Sequence, residues 1–110
     1  MMHMLSCFDL EDGTDIDSFR ARYTAFFEEM KDAGLVEATG PIGRRVSDTP
    51  MDTDDERDHQ FFVVMSFRDR PQVDAAYAHI ESHLAPGEEE HAGVMGMVSG
   101  PVFVCWQDID

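Results

Sequence analysis

Positive charge is scarce in this sequence of 110 residues. Eight Lys and Arg residues stand against 23 Asp and Glu residues, so the formal net charge is −15, and Lys31 is the single lysine. A chain this acidic is repelled by the phosphates of nucleic acids and by anionic membrane surfaces. We therefore expect neither nucleic acid nor a membrane among its partners.

Long apolar runs and clustered cysteines are also missing. No stretch approaches the roughly 18 apolar residues of a transmembrane helix. The first ten residues (MMHMLSCFDL) lack the basic start and the small-residue cleavage site of a secretory signal. Cys7 and Cys105 lie in apolar segments, which is typical of reduced, buried thiols in cytosolic proteins. These absences predict a cytoplasmic protein.

The common motifs for cofactors and metals are absent as well. The sequence has no glycine-rich phosphate loop, no GxSxG, no CxxC and no Rossmann fingerprint. His79 and His83 are four residues apart, but Ile80 rather than Glu follows His79, so the HExxH motif is not present. Their helical positions also lie away from the apolar stripe, which favours exposed side chains. His91 is the remaining candidate for a third metal ligand. We nevertheless expect no bound cofactor and no metal site.

What the sequence does contain indicates one folded domain over residues 1–110. Hydrophobic residues make up 43% of the chain and eight of them are Phe. A chain of this length can bury a real core without disulfides or metals. The segment 47–58 (SDTPMDTDDERD) has no periodicity and many like charges, so we predict a solvated, mobile acidic loop.

Two helices are predicted from apolar stripes at helical spacing. The first covers about residues 15–33, and its stripe consists of Ile16, Phe19, Tyr23, Phe26, Phe27 and Met30. The second follows Asp69, a good N-cap residue, and ends at Pro86 and Gly87. Its predicted core stripe consists of Val73, Ala76, Tyr77, Ile80 and Leu84.

Four strands are predicted around these helices. They cover residues 3–10, 36–46, 59–68 and 102–107. Gly40 and Pro41 indicate an edge position or a bulge in the second strand, because proline cannot donate to a central ladder. Residues 88–98 form either a short helical turn or a loop packed on the core, so no third helix of useful length is expected.

The order βαββαβ predicts a ferredoxin-like α+β fold, a four-stranded antiparallel sheet with two helices on one face. An antiparallel sheet with a wet face alternates apolar and polar residues. The third strand instead has Val63 and Met65 on one alternation and Phe62 and Val64 on the other, and the last strand is similar. Because solvent is a poor environment for such a second apolar face, we expect another copy of the chain to cover it in a homodimer.

This pattern resembles the dimeric α/β-barrel superfamily. The runs HMLSCFDLEDGTD and HAGVMGMVSGPVFVCWQD, together with Arg44 and Arg45, resemble a family of short uncharacterised bacterial proteins within it. The resemblance implies a fold rather than one activity. The superfamily includes cofactor-independent monooxygenases, lactone isomerases, haem-dependent enzymes, stress-responsive proteins and ligand-sensing domains.

His91 is the predicted catalytic residue. An imidazole titrates near neutral pH, so it can act as general acid or base if the segment 88–98 folds over the cleft between helices and sheet. The alternative is a surface histidine beside the carboxylates of residues 88–90.

Four residues are predicted to bind a ligand in that cleft. Tyr23 and Tyr77 can orient a substrate through their hydroxyls, or can simply pack in the core. Trp106 either lines the pocket or fills the dimer core. Arg44 and Arg45 point to opposite faces of a strand. One can therefore hold an anionic ligand while the other pairs with the acidic loop. The alternative is that both form exposed ion pairs.

These residues are consistent with three functions. The first is a cofactor-independent enzyme, monooxygenase-like or isomerase-like, that acts on a small apolar or aromatic metabolite in the helix–sheet cleft. The second is a non-enzymatic ligand-binding or stress-related dimer that uses the same cleft. The third is a protein-interaction module whose contact is the acidic loop, and this hypothesis predicts no pocket.

Overall fold

The computed structural model describes all residues, 1–110. The elements are β1 (Met2–Leu10), α1 (Ile16–Asp32), β2 (Ala38–Thr39), β3 (Gly43–Arg44), β4 (Phe61–Phe67), α2 (Arg70–Ser82), α3 (Glu88–Met97) and β5 (Val98–Gln107). All strand pairs are antiparallel, in the order β2-β4-β1-β5, with β3 also paired to β4. The predicted ferredoxin-like α+β fold is confirmed. No helix has both the length and the apolar character needed to cross a bilayer.

Helix α1 follows its predicted course. The Asp15 carboxylate caps it by accepting a hydrogen bond from the Ser18 N–H at 2.8 Å. Gly34 has a φ of +75° just beyond the helix, where the left-handed conformation ends a helix at little cost for glycine. The predicted stripe is the one that is buried, with Phe19, Tyr23, Phe26 and Met30 in the core.

The sheet presents different residues to its two faces, as the alternation predicts. In the central strand β4, Val63, Met65 and Phe67 are buried under the helices. Phe62 and Val64 alternate with them and therefore point to the opposite face. That opposite face, which we call the open face, consists mainly of Leu5, Phe62, Val64, Val102, Val104 and Trp106. Val102, Val104 and Trp106 on it are 37%, 46% and 42% exposed.

Three sequence-based boundaries need correction. The predicted second strand is two pieces of two residues, β2 and β3, separated around Pro41, which lacks the N–H that a continuous ladder needs. The last strand begins at Val98 rather than at residue 102. The segment 88–98 contains α3, a helix of ten residues, so the expectation of no third helix is wrong. Helix α3 packs against α1 and leaves the open face uncovered.

The predicted core stripe of α2 is wrong at two positions. Tyr77 and Leu84 are 66% and 65% exposed, whereas Gln72 is only 3% exposed. The Gln72 amide donates to the Gly34 carbonyl and to the Glu37 carboxylate, both at 3.0 Å. These bonds attach α2 to the segment after α1, and Gln72 rather than Tyr77 faces inward.

The acidic loop 47–58 is anchored to the fold by Arg45. The Arg45 guanidinium donates to both carboxylate oxygens of Asp52 at 2.8 Å and to the Asp54 carbonyl at 2.7 Å. It also donates to the Arg57 carbonyl. The side chain of Arg45 is only 10% exposed. Arg45 is therefore the arginine that pairs with the acidic loop, and the loop has a hydrogen-bonded anchor that its composition did not reveal.

Candidate functional site

A cavity of about 470 Å³ lies between the helices and the sheet. Its volume is within the range of sites for small molecules. Val73, Ala76 and Ile80 of α2 line one side, and Met65 and Phe67 of β4 lie opposite. The apolar stripe of α2 thus lines a space instead of packing tightly on the sheet.

The floor of the cavity is rich in sulfur. In β1, Met4 is the cross-strand neighbour of Met65 in β4 and of Cys105 in β5, and all three residues line the cavity. Met2 and Met95 line it as well. Unbranched thioether side chains adapt to irregular apolar shapes, so this surface can fit ligands of varied outline.

The charged groups at the cavity compensate each other. Arg70 and Asp74 are the only lining residues with permanently charged side chains. Their side chains form an ion pair of 2.8 Å, one turn apart on α2. Both side chains are largely exposed, at 71% and 60%, so these charges lie at the solvent side of the cavity. The buried part of the lining is apolar and suits a neutral ligand, since burying an unpaired charge is costly.

Tyr23 is a buried polar residue in the cavity wall. Its hydroxyl lies 2.6 Å from Oγ1 of Thr39 in β2. Burial raises the pKa of Tyr23, and the hydrogen bond with Thr39 opposes this only in part. Tyr23 is therefore a neutral phenol at physiological pH, available for hydrogen bonding rather than for charge.

His91 lies in the first turn of α3 and also lines the cavity. Its ring centroid is 5.3 Å from that of Phe26. Burial lowers the pKa of His91 below its usual value of 6.5, and the nearby carboxylate of Glu88 offsets this only in part. The imidazole is consequently neutral at pH 7 and can accept a proton from a bound molecule.

The structure brings three of the five predicted site residues together. Tyr77 lines the cavity beside Tyr23 and His91, and its hydrogen bond to the Glu81 carboxylate raises its pKa. Because Tyr77 is 66% exposed, it lies at the solvent side of the site.

The other two predicted residues lie outside the cavity lining. The Arg44 guanidinium is 5.1 Å from the ring centroid of Phe61, near the opposite end of β4 from Phe67. Trp106 is on the open face, with its ring centroid 5.2 Å from that of His3. Neither contributes to the cavity, so Arg44 is not placed to hold an anionic ligand there.

Sequence reasoning missed Thr39 and the sulfur-rich floor. Thr39 belongs to a strand of two residues, which leaves no periodic signal. Met2 and Met4 lie two residues apart in β1 and therefore share one face of the sheet, but the predicted strand began only at residue 3. The face could be identified as a cavity wall only once the position of α2 was known.

The histidines do not assemble into a metal site. His79 Nε2 is 2.6 Å from the Pro86 carbonyl oxygen, and His83 Nδ1 is 3.3 Å from the Glu88 carboxylate. No group of three or more His, Cys, Asp and Glu side chains is placed to hold a metal ion.

No protein-family model matches the chain, and no curated protein does. Among solved structures, the Arabidopsis thaliana protein At3g17210 matches with a TM-score of 0.73 and 13% identity, over 100% of this chain and 97% of that one. The cofactor-independent oxygenase SnoaB from Streptomyces nogalater matches with a TM-score of 0.67 and 8% identity, over 99% and 93%.

A third match is a dimeric ferredoxin-like protein of unknown function from Thermobifida fusca, with a TM-score of 0.60 and 13% identity over 96% of this chain and 88% of that one. The chain has the ferredoxin-like fold of these proteins. The predicted fold is thus shared with dimeric ferredoxin-like proteins and with a cofactor-independent oxygenase. At identities this low, the likeness shows the fold alone.

Proposed function

We propose that the protein binds a small, neutral, apolar or aromatic metabolite in the cavity between helices and sheet. The observation that carries this proposal is an apolar space of about 470 Å³ without net charge that contains Tyr23 and His91. The interaction-module hypothesis predicted no pocket, and its contact, the acidic loop, is already held by Arg45.

We further propose that the bound molecule is converted without a cofactor, in a monooxygenase-like or isomerase-like reaction. Both kinds of reaction can begin with removal of a proton from the substrate, and the half-buried, neutral His91 is the acceptor that the cavity offers. One of the structural neighbours, SnoaB, is a cofactor-independent oxygenase. The non-enzymatic alternative uses the same cavity and leaves the ligand unchanged.

Binding in the cavity is tested with the neutral dye Nile red and two matched variants. Ala76 lines the cavity and is 7% exposed, whereas Ala78, two residues later on α2, is exposed and outside the lining. Ala76→Phe should fill part of the space and weaken dye binding at least several-fold, and Ala78→Phe should leave it unchanged. Equal affinities in the two variants would contradict binding at this place.

Catalysis is tested on the molecule that accompanies the protein from its source. Native mass spectrometry of untagged protein gives the mass of such a ligand, which is then incubated in air with the protein. Gain of one oxygen atom with loss of two hydrogen atoms, which leave with the second atom of O2 as water, supports a monooxygenase, and conversion to an isomer of equal mass supports an isomerase. His91→Gln should abolish either conversion without loss of Nile red binding. A ligand that stays unchanged supports the non-enzymatic alternative.

We also propose that a second copy of the chain covers the open face. That face carries large apolar groups, including Val104 and Trp106 at 46% and 42% exposure, and the structural neighbour from Thermobifida fusca is dimeric. A homodimer would remove this patch from water. A cytoplasmic location fits the two free thiols. Light scattering of the purified protein tests the dimer, and a monomer at micromolar concentration would contradict it.

A further inference from the structure

The neighbours of the Tyr23 hydroxyl determine whether it donates or accepts its hydrogen bond with Thr39. Thr39 Oγ1 lies 2.6 Å from the Tyr23 hydroxyl, 3.1 Å from the Gly40 carbonyl oxygen and 3.3 Å from the Val64 carbonyl oxygen. A threonine hydroxyl has one proton to donate and lone pairs with which to accept. Only one placement of the two hydroxyl protons lets Thr39 bond both to Tyr23 and to a carbonyl oxygen.

The carbonyl groups decide that allocation. A carbonyl oxygen can only accept, so the Thr39 proton is directed to the Gly40 and Val64 carbonyls. Thr39 Oγ1 then accepts from Tyr23, and the Tyr23 proton is used in this bond. In the reverse allocation, Thr39 would give its proton to Tyr23 and both contacts with carbonyl oxygens would lack a hydrogen. That arrangement would leave partly buried polar groups without a hydrogen bond, which costs free energy.

Tyr23 is consequently left with lone pairs and no free proton. Its side chain lines the cavity, and Thr39 is the cross-strand neighbour of Met65, so both residues are on the cavity side of the sheet. Burial keeps the phenol un-ionised. Toward a ligand in the cavity, the Tyr23 hydroxyl can therefore act only as a neutral hydrogen-bond acceptor.

We propose that Thr39 determines ligand specificity by making Tyr23 a hydrogen-bond acceptor in the cavity. The site then selects apolar molecules that carry a hydroxyl or N–H donor over molecules of the same shape that lack one. This inference rests on the proposed binding function and adds the class of ligand. Thr39 acts through Tyr23 and is a positioning residue.

Indole, benzofuran and 1-indanone test the proposal as probes of similar size. Indole carries an N–H donor, benzofuran has nearly the same shape without it, and 1-indanone carries a carbonyl acceptor. Dissociation constants are measured by NMR titration for the wild type, Thr39→Ser and Thr39→Val, each checked for folding by circular dichroism. We expect the wild type to bind indole roughly tenfold more tightly than benzofuran, the value of one neutral hydrogen bond.

The variants separate the role of Thr39 from general stability. Thr39→Ser retains the hydroxyl and should retain the preference for indole. In Thr39→Val the Tyr23 proton has no acceptor on the protein side and becomes available to the cavity, so the preference should move from indole toward 1-indanone. Tyr23→Phe should remove the preference in either direction, and it provides the test if Thr39→Val does not fold.

Three outcomes would contradict the inference, and they differ in whether the proposed binding function also fails. Equal binding of indole and benzofuran by the wild type overturns it while the binding function stands. A preference for indole that persists in folded Thr39→Val, or in Tyr23→Phe, also overturns it. Failure of the folded wild type to bind any of the three probes at millimolar concentration contradicts the proposed function itself, and the inference fails with it.

Discussion

Cys7 and Cys105 lie on opposite faces of the same sheet. Cys105 is the cross-strand neighbour of Met4 and shares the cavity floor with it, whereas Cys7 is the neighbour of Phe62 and Val102 on the open face. Although their strands are adjacent, the pleat separates the two thiols. A disulfide within one chain would need the backbone to rearrange, and both thiols are free.

The two cysteines should therefore differ in reactivity. Cys7 is 5% exposed, and burial raises the pKa of its thiol, so both access and thiolate content are low. Cys105 is exposed. With iodoacetamide at pH 8, peptide mass spectrometry should show Cys105 modified at least tenfold faster than Cys7. Indole should slow only the Cys105 reaction, and faster labelling of Cys7 would contradict this placement.

Substitutions at neighbouring positions of β4 should have different consequences. Met65 is 8% exposed in the core, and Met65→Asp buries an unpaired carboxylate there, which should cost about 3 kcal/mol or more of unfolding free energy. Val64 is on the open face, where Val64→Asp should leave the monomer folded and prevent dimerisation. Urea unfolding measures the first effect and light scattering the second. A dimeric Val64→Asp protein would refute the use of this face.

Arg45 should control the order of the acidic loop. Arg45→Gln removes the donors that bind both oxygens of Asp52 and the Asp54 carbonyl. We expect limited proteolysis within residues 47–58 to become several-fold faster in this variant. Arg44→Gln is the matched control, because Arg44 contacts Phe61 and makes no hydrogen bond to the loop. Equal cleavage rates in the two variants would show that the anchor is unimportant.

His91 should make the protein less stable in mild acid. Its pKa is lowered in the folded state, mainly by burial, so the unfolded state binds the proton more readily. The contribution of His91 to stability is full above pH 6.5, and it is lost as the pH falls below that value toward the folded-state pKa.

Urea unfolding at pH 7.5 and 5.5 measures this effect. The wild type should lose more unfolding free energy between the two values than His91→Gln does. His59→Gln is the control, because His59 bonds to the Gly100 carbonyl and is not among the groups that act on His91, and it should behave like the wild type. The same loss in all three proteins would show that His91 is not the responsible group.

The elements with a strong pattern were the predictable ones. The stripe Phe19, Tyr23, Phe26 and Met30 identified α1 because its packing is continuous along the helix. Helix α3 carries no such stripe and contains Gly93 and Gly96, which lower helix propensity. Gly93 lies directly beneath the Arg22 side chain of α1, where a Cβ would displace the guanidinium. A tertiary contact of this kind is invisible in the local sequence.

The candidate site was predictable only in part, for a related reason. His91, Tyr23 and Tyr77 were predicted as site residues from residue type and position, and all three line the cavity. The cavity could not be located without the position of α2, and no spacing rule predicts the bonds by which Gln72 attaches α2 to the segment after α1. Arg44 could not be placed from sequence, since its strand is only two residues long.

The alternation in β4 has a genetic consequence. Odd-numbered positions from Val63 to Phe67 form the inner side of the sheet, and Phe62 and Val64 form the surface where we place the partner subunit. Adjacent codons are then under separate selection, one set for the cavity and core and the other for assembly. A saturation library of this strand, sorted separately for ligand capture and for self-association, should divide into two interleaved sets of sensitive positions with a period of two.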